Sequence, residues 1–452
     1  MSASTSTGTF QFYHKLMWIV FAAFAIRVAV RLYVGSEDFW ANGYSFFFGL
    51  AQAIAAGNGV AFSESTAFRV PLYPAFLALV TFGHKAFLPI VLSQSLIGAG
   101  TAFFAGLLAR ELFGSVAAII AATMAAFYPY YVVHDTALQE TSLYTFLTIL
   151  AVFLLLRARR SGSGITAGCA GLALGLAVLT RANLAPFALL APLWLGVPAQ
   201  SRSAPWRQGI RAALICLAVL ALTVSPWLLR SLRLEGTVTL STQTGFFLWV
   251  GNNPYTFSYY PTESIDRSQR AALEALSPAD QAQIGALASR GAAAVDREFF
   301  GQRALEYMRE DPWRTFVGGL RKLGAAFDLL PSPRRDSLRN LVHALSYGVV
   351  MTLGLWGMWA GRRNWREHLI FYALFVSFAA VTAVFFGHTN YRSYLDVYWI
   401  VFAAGILAPF AKRVFTFDRA SRDDFRIEEV STAFDRARRS AVSPSKPSPC
   451  RS

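Results

Sequence analysis

Tyr128-Pro-Tyr-Tyr-Val-Val-His-Asp-Thr-Ala-Leu-Gln-Glu-Thr141 lies between two long apolar runs, so His134, Asp135 and Glu140 fall where one membrane-spanning segment ends and the next begins. Carboxylates at the rim of a bilayer must be solvated or paired, which makes such a cluster a functional-site candidate. On this stretch alone a solvated turn between two spans is an equal reading. What lies on either side decides the fold class.

Of the 452 residues 55% are hydrophobic and only 15% charged, and the mean hydropathy is +0.41. Soluble domains do not carry that much apolar surface, and repeated runs of about 18 or more apolar residues are membrane-helix candidates. An all-α polytopic membrane protein is therefore expected. Lys+Arg number 41 against 26 Asp+Glu, a balance of +15. Many of the basic residues sit just beyond the ends of apolar runs, the positive-inside pattern, and no nucleic-acid module accompanies them. Cys169 and Cys216 lie inside apolar runs and Cys450 near the C-terminus, which offers no metal spacing or disulfide framework. The first run carries Arg27 and Arg31 with no small-residue cleavage site after it, and reads as a retained span.

Runs at 16–34, 86–108, 115–131, 141–156, 165–179, 184–195, 212–229, 341–359, 369–386 and 397–409 alternate across the bilayer. The arginine clips at 157–160, 202–211 and 362–366 all fall on one side, assigned to the cytoplasm together with both termini. Arg27 and Arg31, one turn apart near the far end of the first span, are expected to snorkel to the headgroups or meet a lipid phosphate. Phe39, Trp40, Tyr44, Phe46, Phe47, Phe48, Leu50 and Ile54 form a run too interrupted to span, which suits an aromatic-rich helix in the interface. The stretch 71–82 is too short to cross. Residues 230–340 are the large hydrophilic section between spans, expected outside the cytoplasm, with helix starts at Ser277-Pro-Ala-Asp280 and Asp311-Pro312. The chain thus divides into a catalytic module at 1–229, an external section at 230–340, closing spans at 341–411 and a partly disordered cytoplasmic tail at 412–452.

Unusual polar residues collect on the outer side: Glu37, Asp38, Arg69, His134, Asp135, Glu140, Arg181, the turn Gly251-Asn-Asn-Pro254, and Arg392 between Tyr391 and Tyr394. Ionisable residues on broken helices near mid-membrane, in two related halves, would mark a secondary transporter, and neither is evident. No dinucleotide or P-loop glycine fingerprint is present. Carboxylates and arginines at an outer membrane surface suit transfer from a lipid-phosphate donor. A carboxylate takes the proton of an acceptor hydroxyl while arginine forks stabilise the departing phosphate. Plainer readings stand beside these: His134 as an interfacial hydrogen-bonding residue, Arg181 as a helix cap, Asn252 and Asn253 as a turn, and Arg392 as an interface anchor.

Seven stretches follow one another along the chain: Ala51-x-x-Ile54-x-x-Gly57-x-Gly59, Thr66-Ala-Phe-Arg-Val-Pro-Leu-Tyr-Pro74, Leu138-Gln-Glu140, Leu179-Thr-Arg181, Ser225-Pro-Trp227 with Arg230, Gly251-Asn-Asn-Pro254, and Tyr391-Arg392. Their order resembles the GT-C superfamily of polyprenyl-phosphate-dependent glycosyltransferases, in particular the branch of lipid A aminoarabinose transferase and the protein O-mannosyltransferases. The resemblance implies a GT-C-like bundle of about ten transmembrane helices with interfacial helices and a mainly helical periplasmic section. It further implies inverting transfer of a hexose or pentose from a polyprenyl-phosphate donor to a lipid, glycan or protein acceptor. The reaction would take place on the periplasmic face of the inner membrane, in building the cell envelope or its lipopolysaccharide. Relatives place the catalytic base near the position of Asn42-Gly43-Tyr44, and here Glu37 and Asp38 stand a few residues early. Three readings stay open: a re-registered loop brings Asp38 to the site, the base is Asp135 or Glu140, or activity is lost. Glu140 aligns with the family's second acid and Arg69 with a residue on the donor phosphate; Arg181, Tyr391 and Arg392 join it as donor-phosphate candidates, and His134, Asn252 and Asn253 as loop residues around donor and acceptor. Some relatives bind a divalent cation such as Mg or Mn, but scattered acids do not define a metal site. A polymerase or ligase of undecaprenyl-linked glycans and a transporter or lipid flippase are the alternatives.

Overall fold

A computed structural model describes residues 2–41, 45–59, 69–197 and 206–413, without the side chains of 2–8, Asp38 and Ala41. The motif positions Asn42-Gly43-Tyr44 and Thr66-Ala-Phe68, Arg202, Cys450 and the tail after Arg413 lie outside the described residues. Among the described residues there are helices and turns but no strand. In order they are α1 (Ser2–Val34), α2 (Glu37–Ala41), α3 (Ser45–Ala55), α4 (Leu72–Thr81), α5 (Phe87–Phe113), α6 (Ser115–Phe127), α7 (Pro129–His134), α8 (Thr141–Ser161), α9 (Gly164–Thr180), α10 (Ala185–Leu190) and α11 (Trp206–Glu235). Shorter helices follow: α12 (Thr244–Gly251), α13 (Ile265–Glu274), α14 (Pro278–Ala288), α15 (Ala292–Ala294), α16 (Gln302–Glu310) and α17 (Pro312–Ala326). The chain closes with α18 (Ser337–Ala360), α19 (Trp365–Val384) and a last span, Thr389–Arg413.

Among the described residues six stretches are long and apolar enough to cross a membrane, and one of them, Ser337–Val384, holds α18 and α19 back to back. The apolar helices α6 and α9 and the stretch Ala182–Gly196 are shorter than 18 residues and occupy the remaining predicted spans. Helices meet along small residues, because in lipid close backbone approach replaces a hydrophobic driving force. Ala99, Ala102, Ala105 and Ala109 of α5 are buried with Ala117, Ala118, Ala121, Ala122 and Ala125 of α6. On α9 a methyl at Gly171 would overlap the Cys216 carbonyl oxygen of α11. The aromatic run after the first span becomes α2 and α3, and Phe39, Phe47 and Phe48 pack with Tyr73 and Leu77 of α4 into a separate apolar cluster. Ser277 and Asp280 form the expected capping box, and the Asp311 side chain accepts the Arg314 N–H.

The bundle has two chemically distinct ends. At one, Arg157 and Arg160 pair with Glu111, Arg160 lies 3.7 Å from Glu367, Arg110 donates to the Tyr13 hydroxyl, and the Trp194 indole donates to the Arg366 carbonyl. The clips at 157–160 and 362–366 therefore share a side, as their sequence positions predict. The opposite end gathers Arg31, Glu140, Arg181, Asn252 and Tyr391.

Arg27 and Arg31 do not snorkel. Arg27 is completely buried, its Nε 2.8 Å from Asp135 Oδ2, and it also donates to the carbonyls of Ala23, Ala125 and Ala126. The last two are end carbonyls of α6 that lack intrahelical partners, so the guanidinium caps that helix as well as pairing with the acid. Arg31 donates to Thr136 Oγ1 and the Val133 carbonyl.

Candidate functional site

Glu140 immediately precedes α8 and Arg181 immediately follows α9. The helices are joined by a tight reversal in which Gly162 adopts φ +68° and Ser163 Oγ accepts the Thr166 N–H, so the acid and the base reach the same end of the bundle. Arg181 Nε donates to Glu140 Oε1 at 2.7 Å and an Nη to Thr141 Oγ1 at 3.2 Å. Its guanidinium lies 5.2 Å from the Tyr144 ring centre and 5.8 Å from that of Tyr391, within range of cation–π attraction. Arg69, at the entry to α4, lies 4.6 Å from the Phe247 ring centre and 5.7 Å from that of Phe46. Tyr391 is within electrostatic reach of Arg69, Arg181, Glu140 and Asp266. Four chain segments thus converge on one polar patch, and Glu140 Oε2 is buried there without a hydrogen-bond donor among the described residues.

A network that the sequence did not announce holds the stretch before Glu140. Tyr73 donates to Gln94 Oε1 at 2.8 Å, and Gln94 Nε2 donates to the carbonyls of Asp135 and Ala137, each at 2.7 Å. Ser142 Oγ donates to the Gln94 carbonyl at 3.2 Å. Gln94 is a polar residue in an apolar run, and that is the signal that could have flagged it.

The other predicted residues separate from this patch. Glu37 is exposed at the start of α2, and the Asp38 side chain lies outside the described set. Asp135 faces inward to Arg27; burial pushes its carboxyl up while the guanidinium opposes the shift. A carboxylate held this way ties the loop to α1. His134 stacks on Tyr130 at 4.0 Å with Nδ1 3.2 Å from Gln139 Nε2, and burial lowers its pKa to about 3, so the ring is neutral. Arg392 is not in an exposed turn. It is fully buried in the first turn of the last span, 3.5 Å from Asp396 and stacked on Tyr347, because Thr389 onward is already helical.

Asn252 and Asn253 are structural. Asn253 Nδ2 donates to the Trp249 and Val250 carbonyls, and Asn252 Nδ2 to those of Leu248 and Val384. Lys322, almost fully buried on α17, donates Nζ to Asn252 Oδ1 at 2.8 Å and to the Ala383 and Val384 carbonyls at the end of α19. An ammonium at a helix C-terminus is favourably placed, yet burial still lowers its pKa to about 8. Asp296 caps α12 by accepting the N–H groups of Gly245 and Phe246.

The described residues contain no group of three or more His, Cys, Asp or Glu side chains close enough to hold a metal ion. Glu140 offers one oxygen beside a guanidinium, which is a poor donor set for a hard dication wanting six oxygens or more.

Long spans, short helices between the first two of them, and a helical section ahead of the closing spans agree with the GT-C-like helical bundle that the sequence resembles. Residues 69–229, less than half of the chain, match the family of dolichyl-phosphate-mannose-protein mannosyltransferases. Among solved structures the chain is similar to the oligosaccharyltransferase AglB of Archaeoglobus fulgidus in complex with an inhibitory peptide and a dolichol-phosphate. That likeness has 15% identity and a TM-score of 0.55, covering 90% of this chain and 52% of that one. The apo form of the Archaeoglobus fulgidus oligosaccharyltransferase matches with 15% identity and a TM-score of 0.56, over 91% of this chain and 52% of that one. This chain therefore spans about half the length of the solved structures it matches. No curated protein matches it.

Proposed function

We propose that the protein is an integral membrane glycosyltransferase that moves a hexose or pentose, with inversion, from a polyprenyl-phosphate donor to a lipid, glycan or protein acceptor. The observation that carries this reading is the convergence of Glu140, Arg181, Arg69 and Tyr391 at the end of the bundle away from the arginine clips. Arg69 and Arg181 supply charge for the phosphate that departs, and the aromatic faces of Phe247, Tyr144 and Tyr391 fix their planes. Arg181 holds Glu140 by one oxygen and leaves the other for an acceptor hydroxyl or a donor sugar. Asp38 remains the first candidate for the base and Glu140 the second, each removing the hydroxyl proton as the oxygen attacks the sugar carbon opposite the phosphate. The match of 69–229 to a mannosyltransferase family that takes its sugar from a dolichyl phosphate, and the dolichol-phosphate bound by AglB, support a lipid-phosphate donor. We place the site on the periplasmic face of the cell's inner membrane with both termini cytoplasmic, since the short basic loops collect at the other end.

The test is purified protein in detergent with a labelled polyprenyl-phosphate sugar. Donor hydrolysis or transfer that is lost in Arg69→Ala is expected. A chain in proteoliposomes that moves the labelled lipid across the bilayer without breaking the sugar–phosphate bond would overturn the reading in favour of a flippase.

A further inference from the structure

The section between α11 and α18 reads as hydrophilic, yet α17 within it has two opposed apolar faces. Gly319, Lys322, Ala325 and Ala326 are buried. This face packs on the end of α19: Gly319 leaves ordinary van der Waals room of 3.4 Å to the Ala383 carbonyl oxygen for a methyl, and Lys322 bonds the Ala383 and Val384 carbonyls. On the other side Trp313, Phe316, Val317 and Leu320 recur at i, i+3, i+4 and i+7 and are 71%, 57%, 38% and 53% exposed. At 100° per residue this stripe lies nearly opposite the packed face.

We infer that α17 is seated in the lipid of the leaflet on the side of the candidate site, with Trp313, Phe316, Val317 and Leu320 among the upper acyl chains. Three observations commit the face to lipid. It is attached through its packed face to the end of a membrane span, α19, whose own Val376 and Val384 are exposed, as are Leu338, Leu341 and Leu345 at the start of α18. Its outermost residue is a tryptophan stacked on Phe316 at 5.6 Å, and tryptophan is enriched at membrane interfaces. Arg314 and Arg321 share the flank between the two faces, their guanidinium groups lying over the Tyr307 and Phe257 rings, with Arg314 also 3.6 Å from Glu310, so charge is kept at the border of the stripe and out of it. The helix is also held rigidly to what precedes it, since Arg314 donates to the Tyr307 carbonyl and Thr315 to that of Met308. This inference is independent of the sugar-transfer reading.

The experiment uses the full chain with Cys169→Ser, Cys216→Ala and Cys450→Ser, carrying one nitroxide at Phe316→Cys, Leu320→Cys, Arg314→Cys or Gly318→Cys. The chain is reconstituted in phosphatidylethanolamine–phosphatidylglycerol vesicles. At 316 and 320, collisions with dissolved oxygen should exceed those with a water-soluble nickel chelate several-fold, and the ratio should fall at 314 and 318. Equal nickel access at all four sites would put the stripe in water and overturn the proposal. Dipolar broadening at 316 that vanishes on dilution with unlabelled chain would overturn it in favour of a second copy. Phe316 and Leu320 are exposed, so these replacements leave the packed face intact.

Discussion

Replacing Asp135 by Asn tests whether the central acid is structural or chemical. The substitution keeps shape and a hydrogen-bonding oxygen but removes the charge facing Arg27, which is itself completely buried at 2.8 Å. Two charges about 4 Å apart interact by roughly 4 kcal/mol at an effective dielectric constant near 20. Removing one partner of a buried pair typically costs about 3–5 kcal/mol, because the other is left uncompensated. Arg27 keeps its bonds to the Ala23, Ala125 and Ala126 carbonyls, so a loss near the lower end, about 3 kcal/mol, is expected. Arg27→Met should lose a similar amount, and the double variant should lose less than the sum, with a coupling of about 1–3 kcal/mol. Denaturation midpoints of the purified protein in SDS–detergent mixtures read all three. Gly98→Ala gives an independent check, since its methyl would stand 2.5 Å from Asp135 Oδ2 and 2.6 Å from Arg27 Nε. An Asp135→Asn chain that unfolds like the native one would refute the structural assignment, and one that also lost transfer would move Asp135 into the chemistry.

Glu140→Gln should preserve folding and cut turnover by about a hundred-fold or more if Glu140 acts on the acceptor, and single-turnover transfer assays would show an unchanged rate if it does not. Arg181→Lys should weaken donor binding as well as turnover, because a lysine cannot hold Glu140 and Thr141 through one planar fork; donor titration checks this. Acid should destabilise the fold through His388, whose pKa burial lowers to about 4. The unfolded chain takes up the proton first, so stability present above about pH 6.5 is lost as pH falls toward 4, by at most about 3 kcal/mol from this ring. His388→Asn retains a side-chain acceptor for the Asn390 N–H and should flatten the acid limb of a thermal-shift profile; an unchanged limb would exclude the ring as its source. Gly251→Ala should fail to fold stably, because its methyl would overlap the Phe385 carbonyl oxygen, and size-exclusion of the detergent-solubilised chain reads the outcome.

What was legible in the sequence is what neighbours encode. Apolar runs gave the spans, the arginine clips gave a common end for 157–160 and 362–366, and Ser277 and Asp311 gave helix starts through bonds to the residues three places on. Glu140 and Arg181 could be placed at one end because the first opens an apolar run and the second closes the next. Pairings across long separations left no such trace. Arg27 finds its acid 108 residues later, and Lys322 finds Asn252 70 residues earlier. A guanidinium in a span looks the same from the sequence whether it reaches out to headgroups or in to a carboxylate. Arg392 misled for a related reason: Tyr391 and Tyr394 resemble an interfacial turn, whereas their helical spacing carries the arginine into the bundle. Glycines at 98, 171 and 251 likewise give no local sign of the backbone or side chain packed against each one.

The contact at Lys322 also sets a clock on biosynthesis. Its ammonium is satisfied by a side chain at 252 and by carbonyls at 383 and 384, so the partners emerge from the ribosome over a stretch that includes α18 and nearly all of α19. Until α19 has been inserted, α17 and the end of α12 lack these carbonyl partners, and a buried-to-be lysine and asparagine remain hydrated. Locking of that section is therefore among the last events of assembly, after most of the spans are already in the bilayer. A nascent chain arrested before Ala383 would present α17 without its inner partner, exposing both apolar faces of that helix to whatever holds the chain at the translocation channel.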